Sequence, residues 1–139
     1  MSADFLLYDP NGKLVVCVGV AGVSESSSAW ARTIMGDLLG SLEPPYLILV
    51  TRDQTYFWRD PARNPVPVGS AQTSTLLEHQ LRIFHPRSLS EISPYALEDA
   101  VYAWLFDATY IASEVPDLLR AIGFIDAVRD GDIKVMSAA

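Results

Sequence analysis

The chain is short of the residues on which many site chemistries depend. It has one cysteine, Cys17, so no internal disulfide can form. A lone thiol in an apolar stretch also fits a reducing compartment, and the cytoplasm is the expected location. It has two histidines, His79 and His85, with no Cys or His around them, which argues against a zinc site. Only two of its 10 basic residues are lysines, Lys13 and Lys134, and no Lys/Arg run exists. Against 17 acidic residues this gives a formal charge of −7, which repels phosphate backbones and disfavours nucleic-acid binding. No apolar run approaches a membrane span. The N-terminal Met1-Ser-Ala-Asp4 carries no basic region of the kind that opens a signal peptide. G-x-G-x-x-G, P-loop and G-x-S-x-G motifs are absent. Internal repeats and low-complexity segments are absent too.

What is present is a core. Half of the 139 residues are hydrophobic, enough for one domain spanning 1–139. The central element is Lys13-Leu-Val-Val-Cys-Val-Gly-Val-Ala21, a β-branched run after an Asn11-Gly12 turn signal, which predicts an interior strand. Asp4–Asp9 reads as its hairpin partner through Asp9-Pro-Asn-Gly12, with Asp9 as a turn residue. Ser26, Ser27 and Ser28 each offer an N-cap for a helix over about 27–42. Its apolar face is Trp30, Ile34, Leu38 and Leu42, with Ala31, Met35 and Leu39 alongside, and Gly40 and Pro44-Pro45 end it.

Two further strands follow at 46–51 and 55–59, and the second holds the aromatic run Tyr56-Phe-Trp58. In an alternating strand that run is half core and half surface, although such rings also stack bases in single-strand binders. Residues 60–70 read as a proline-rich surface loop. Segment 72–92 is the least regular, with a short helix over 75–81 and an extended 81–84. Ser93-Pro94 is an N-cap followed by proline at the first helical position, opening a helix to about Ile111. Its stripe is Leu97, Val101, Trp104, Leu105 and Ala108, with Glu98 and Asp99 near its N-terminal end. A short helix from Pro116 to Gly123, a helical turn over 124–129 and a last strand over 132–136 complete the chain.

Strand, strand, helix, strand, strand is also the core order of the PD-(D/E)xK nuclease superfamily. Residues 3–60 resemble small bacterial members of it, through Ala3-Asp4-Phe-Leu-Leu-Tyr-Asp-Pro-Asn-Gly12, Leu14–Ala21, the Trp30 helix and Pro45-Tyr-Leu-Ile-Leu-Val-Thr51…Tyr56-Phe-Trp58. The resemblance implies an α/β, restriction-endonuclease-like mixed β-sheet flanked by helices. It also implies a site in which two carboxylates hold Mg²⁺ and a lysine two residues after the second stabilises developing charge. Asp4 matches the first acid, but Gly19 stands at the second and Ala21 at the lysine.

The expected protein is therefore a catalytically inactive member, with no catalytic residue, metal or other cofactor, acting through protein contacts. Self-association as a dimer is the most economical form of this. High apolar content and 14 aromatic residues (Trp, Tyr and Phe) motivate it. So do Trp104 and Phe106, about 200° apart on one helix, which cannot both face one core. The rival is a metal-dependent DNA endonuclease with relocated acids, using Asp4 and Glu25 for Mg²⁺. Its special case is an engineered inactive variant in which Gly19 and Ala21 replace the natural Glu and Lys. A nucleic-acid-binding module without cleavage is a third reading, which the charge disfavours. Cys17 reads as a small core residue, with no base nearby in sequence to activate it. The space above Gly19 is expected to be filled by neighbouring side chains or left as a small pocket.

Overall fold

The hairpin at the start of the chain is built by one side chain. Asp9 Oδ1 accepts from the N–H groups of Asn11 and Lys13, both at 2.9 Å. Gly12 takes φ +82°, a left-handed conformation that glycine adopts without steric penalty. The flanking strands β1 (Phe5–Tyr8) and β2 (Leu14–Val20) then pair antiparallel, Phe5 against Val18. The computed structural model of the protein describes residues 3–21, 28–40, 42–82, 92–111 and 123–136.

Helix α1 (Ser28–Leu39) returns the chain so that β3 (Tyr46–Val50) lies parallel to β2, Val18 beside Ile48. Gly40, at φ +50°, ends that helix. β4 (Gln54–Arg59) folds back antiparallel on β3. These four strands and the parallel pair are as the sequence predicts, and β2 is interior.

Two further strands extend the sheet to six, in the order β5-β4-β3-β2-β1-β6. β5 (Gly69–Gln72) occupies the end of what reads in sequence as a loop. Gly-Ser-Ala-Gln has little intrinsic strand preference, and it is extended because β4 offers an open edge to pair with. The helix expected over 75–81 is two short pieces, α2 (Thr73–Leu76) and α3 (Glu78–Arg82), and Leu81 and Arg82 are helical rather than extended. A threonine cluster anchors this turn: Thr73 Oγ1 donates to the Thr51 carbonyl at 2.8 Å and lies 2.9 Å from Thr55 Oγ1. All three threonines are buried and partnered, as buried hydroxyls require.

α4 (Pro94–Phe106) starts as its sequence says, Ser93 Oγ accepting from the Ala96 N–H at 3.1 Å. Its last turn widens into a π-helical segment, Asp107–Ile111. α5 (Phe124–Val128) leads into β6 (Asp132–Val135), antiparallel to β1. The expected helix from Pro116 falls outside the described residues up to Gly123, as do Ser26, Ser27 and His85.

Helices cover both faces of the sheet. Phe5, Leu7, Val16, Val18, Val20, Ile48, Val50 and Phe57 pack against residues of α2 to α5. Leu6, Cys17, Ala21, Leu47, Leu49, Tyr56 and Trp58 pack against Met35, Leu38 and Leu39 of α1. Strand alternation thus sends residues to two buried faces. This corrects the expectation for Tyr56-Phe-Trp58, whose three rings are all buried. Trp58 Nε1 donates to the Pro65 carbonyl at 3.0 Å, so the proline-rich loop satisfies the indole. Leu42 also departs from expectation: it lies beyond α1 and is exposed.

Candidate functional site

The register of β1 on β2 pairs Phe5 with Val18, and one step further it sets Asp4 beside Gly19. The positions that the resemblance assigns to the two acids are therefore neighbours across the hairpin, at the end of β2 where Ala21 also lies. Their surroundings are closely packed. A Cβ built on Gly19 would sit 2.5 Å and 2.7 Å from the two methyl carbons of Leu38. Leu38 comes from α1 and is 3% exposed, so the space over Gly19 is filled, as expected for a packed region. Ala21 is buried in the same cluster, and its N–H donates to the Val50 carbonyl at 2.8 Å.

Asp4 has an ordinary structural task. Its Oδ2 accepts from the Val20 N–H at 2.7 Å. Its backbone N–H donates to Val18 and its carbonyl accepts from Met136, both at 2.8 Å. The side chain thereby adds one bond to the β1–β2 ladder beyond the backbone bond from Asp4 to Val18.

Glu98 is the residue that sequence reasoning missed. It stands in the second turn of α4, where its carboxyl interacts with that of Asp4. Burial raises the Asp4 pKa above its usual value, opposed by the bonds from Val20 and Glu98. Glu98 is raised by burial, then by the Asp4 charge and by donating its proton to Asp4, with a further push from Asp99. Burial and mutual repulsion thus both disfavour having the two carboxyls ionised together. Nothing local in the sequence joins these two residues, and only the packing of α4 on β1 does so. Beside them is a hollow of about 210 Å³ lined by Phe5, Glu98, Asp99, Tyr102 and Val135.

The remaining candidates are dispersed. Cys17 is fully buried, and burial pushes its thiol up to about 11, the direction opposite to an activated nucleophile. His79 is exposed on α3. Glu25 lies outside the described residues. Among the described residues no group of three or more His, Cys, Asp or Glu is placed to hold a metal ion. Among them, too, no helix is long and apolar enough to cross a membrane. Comparison with family models, curated proteins and solved structures returns no match to this chain.

The raised pKa values of this pair have a measurable consequence. Both folded-state pKa values lie above the ordinary 3.8 of Asp4 and 4.5 of Glu98, so the folded chain binds more protons than the unfolded one. The pair's contribution is therefore full below those ordinary values and is lost as pH rises through the raised ones. Glu98→Gln keeps a donor to Asp4 and removes the titration. It is expected to be more stable than the parent at about pH 7, by about 0.5 kcal/mol after solvent screening, and to lose that advantage in acid. Urea melts of both proteins across the acidic range check this, and parallel profiles would contradict it.

Proposed function

We propose that this protein is a restriction-endonuclease-like domain without nuclease chemistry, working through self-association. The observation that carries the reading is Leu38 lying over Gly19. Where the resembling family places a metal-binding carboxylate, this chain has no side chain and an α1 leucine fills the space. The position of the charge-stabilising lysine is the buried Ala21.

One observation favours the rival reading, a metal-dependent endonuclease with relocated acids: Glu98 brings a second carboxyl to Asp4. The arrangement fits a hard cation poorly. Mg²⁺ is held by ionised carboxylate oxygens, whereas here one Asp4 oxygen already accepts from Val20 and burial disfavours the charged form of both acids. Lys13 and Lys134 do not supply the missing charge either. Lys13 precedes β2 at the end away from Gly19, and Lys134 sits opposite Leu6 on β6.

Titration calorimetry with Mn²⁺ and a plasmid-nicking assay separate the two readings. No saturable heat and no nicking are expected, with wild type and Asp4→Asn indistinguishable. Saturable binding abolished by Asp4→Asn would overturn the proposal in favour of relocated acids.

A further inference from the structure

The sheet ends at β6. Among the described residues no strand pairs with its outer side. The Met136 N–H donates to the Asp4 carbonyl, so the backbone groups of Asp132, Lys134 and Met136 point inward to β1. Antiparallel ladders alternate, and the N–H and C=O of Ile133 and Val135 therefore point outward. Natural edges are usually blunted by shortness, charge, proline, bulges or a covering element, and of these β6 has its four-residue length and the charges of Asp132 and Lys134. β5, at the opposite edge, is likewise four residues long, but it carries no charge and leads directly into α2. β6 has no proline. Along it runs exposed apolar surface, with Val135 at 55%, Met136 at 39%, Tyr102 at 38% and Phe106 at 43% exposure.

We infer that the self-association proposed above goes through this edge, β6 of one copy pairing antiparallel with β6 of a second around a two-fold axis at Ile133. The inference rests on that functional reading and adds its surface and register. Charge favours a second copy of the same strand as the occupant. A two-fold at Asp132 or Lys134 sets like charge against like directly across the strands, which is unfavourable. A two-fold at Val135 sets Lys134 against Met136. A two-fold at Ile133 sets Asp132 against Lys134 of the other copy, twice, and Val135 against Gly131. It also satisfies the ladder, because Ile133 is a residue whose N–H and C=O face outward.

Strand geometry keeps the two acidic hollows apart, since Val135 of one copy lies about 13 Å along the duplex from Val135 of the other. The exposed Tyr102 and Phe106 rings, whose centroids are 6.5 Å apart, flank the new seam. The assembly is a continuous twelve-stranded sheet, twice the six of one copy.

Two single variants test the register. Asp132→Lys and Lys134→Asp each place like charges across the seam. Each is expected to weaken dimerisation at least tenfold in sedimentation equilibrium. Mixed one to one, they restore it, because each strand then meets its opposite, and the double swap in one chain dimerises like the parent. Val135→Pro removes one outward donor without emptying the core and is also expected to give monomers. Circular dichroism melts verify that every variant remains folded. A parent that stays monomeric as concentration rises overturns self-association itself, and this inference with it. A dimeric parent with dimeric variants leaves self-association standing and overturns only the β6 seam. Weakened singles that fail to rescue one another overturn the Ile133 register.

Discussion

Gly131→Ala is expected to destabilise the protein by about 3 kcal/mol or more, the range of severe core damage. Gly131 is buried between α5 and β6, where the chain turns to run along β1. A Cβ there would land on the carbonyl oxygen of Tyr8, with the Val128 carbonyl oxygen 3.1 Å away. Both obstacles are backbone, so no rotamer change relieves the clash, and β6 has to move away from β1. The Gly131 N–H bond to Val128, at 3.0 Å, is strained by the same movement. Chemical denaturation gives the magnitude. Amide exchange gives the location, since the N–H groups of Asp132, Lys134 and Met136 should lose protection before those of β2 and β3. Because β6 carries the inferred seam, the variant should also be monomeric. A melting temperature within a degree or so of wild type would reject this account.

Gly19→Glu is expected to cost about 2–4 kcal/mol, from overpacking and from a carboxylate placed in an apolar cluster. The clash is with Leu38, a side chain that can in principle move, which makes the cost smaller and testable by coupling. Leu38→Ala alone removes a buried side chain and is expected to cost about 2–5 kcal/mol. Combined with Gly19→Glu, it supplies room for the new side chain. The double variant should then be less destabilised than the sum of the two singles by about 1 kcal/mol or more. Strict additivity would mean that Leu38 and position 19 do not compete for one space. Nuclease activity is not expected from Gly19→Glu, since Ala21 still supplies no charge. Metal-dependent nicking by that variant would show that only one side chain separated this chain from catalysis.

How far the sequence reaches depends on the range of the interaction involved. The hairpin was legible because Asp9-Pro-Asn-Gly12 carries its own turn chemistry, one aspartate satisfying two N–H groups within four residues. The Ser93-Pro94 start of α4 was legible for the same reason. So were β2 and β3, apolar runs that can only be interior strands. Trp104 and Phe106 diverge as helical geometry requires, one buried and one exposed.

Tertiary structure decided what depends on a distant partner. Four residues of weak strand preference became β5 because β4 offered an edge, and Tyr56-Phe-Trp58 was buried throughout because helices cover both faces of the sheet. The absence of the Glu-x-Lys pair could be read from the sequence, but its consequence could not. Leu38 fills the space over Gly19 through helix packing, and Glu98 reaches Asp4 only because α4 docks against β1. Local patterns specify which elements form, because turn, cap and alternation energies are short-ranged. Which side chains shift one another's charge or fill a gap depends on how those elements stack.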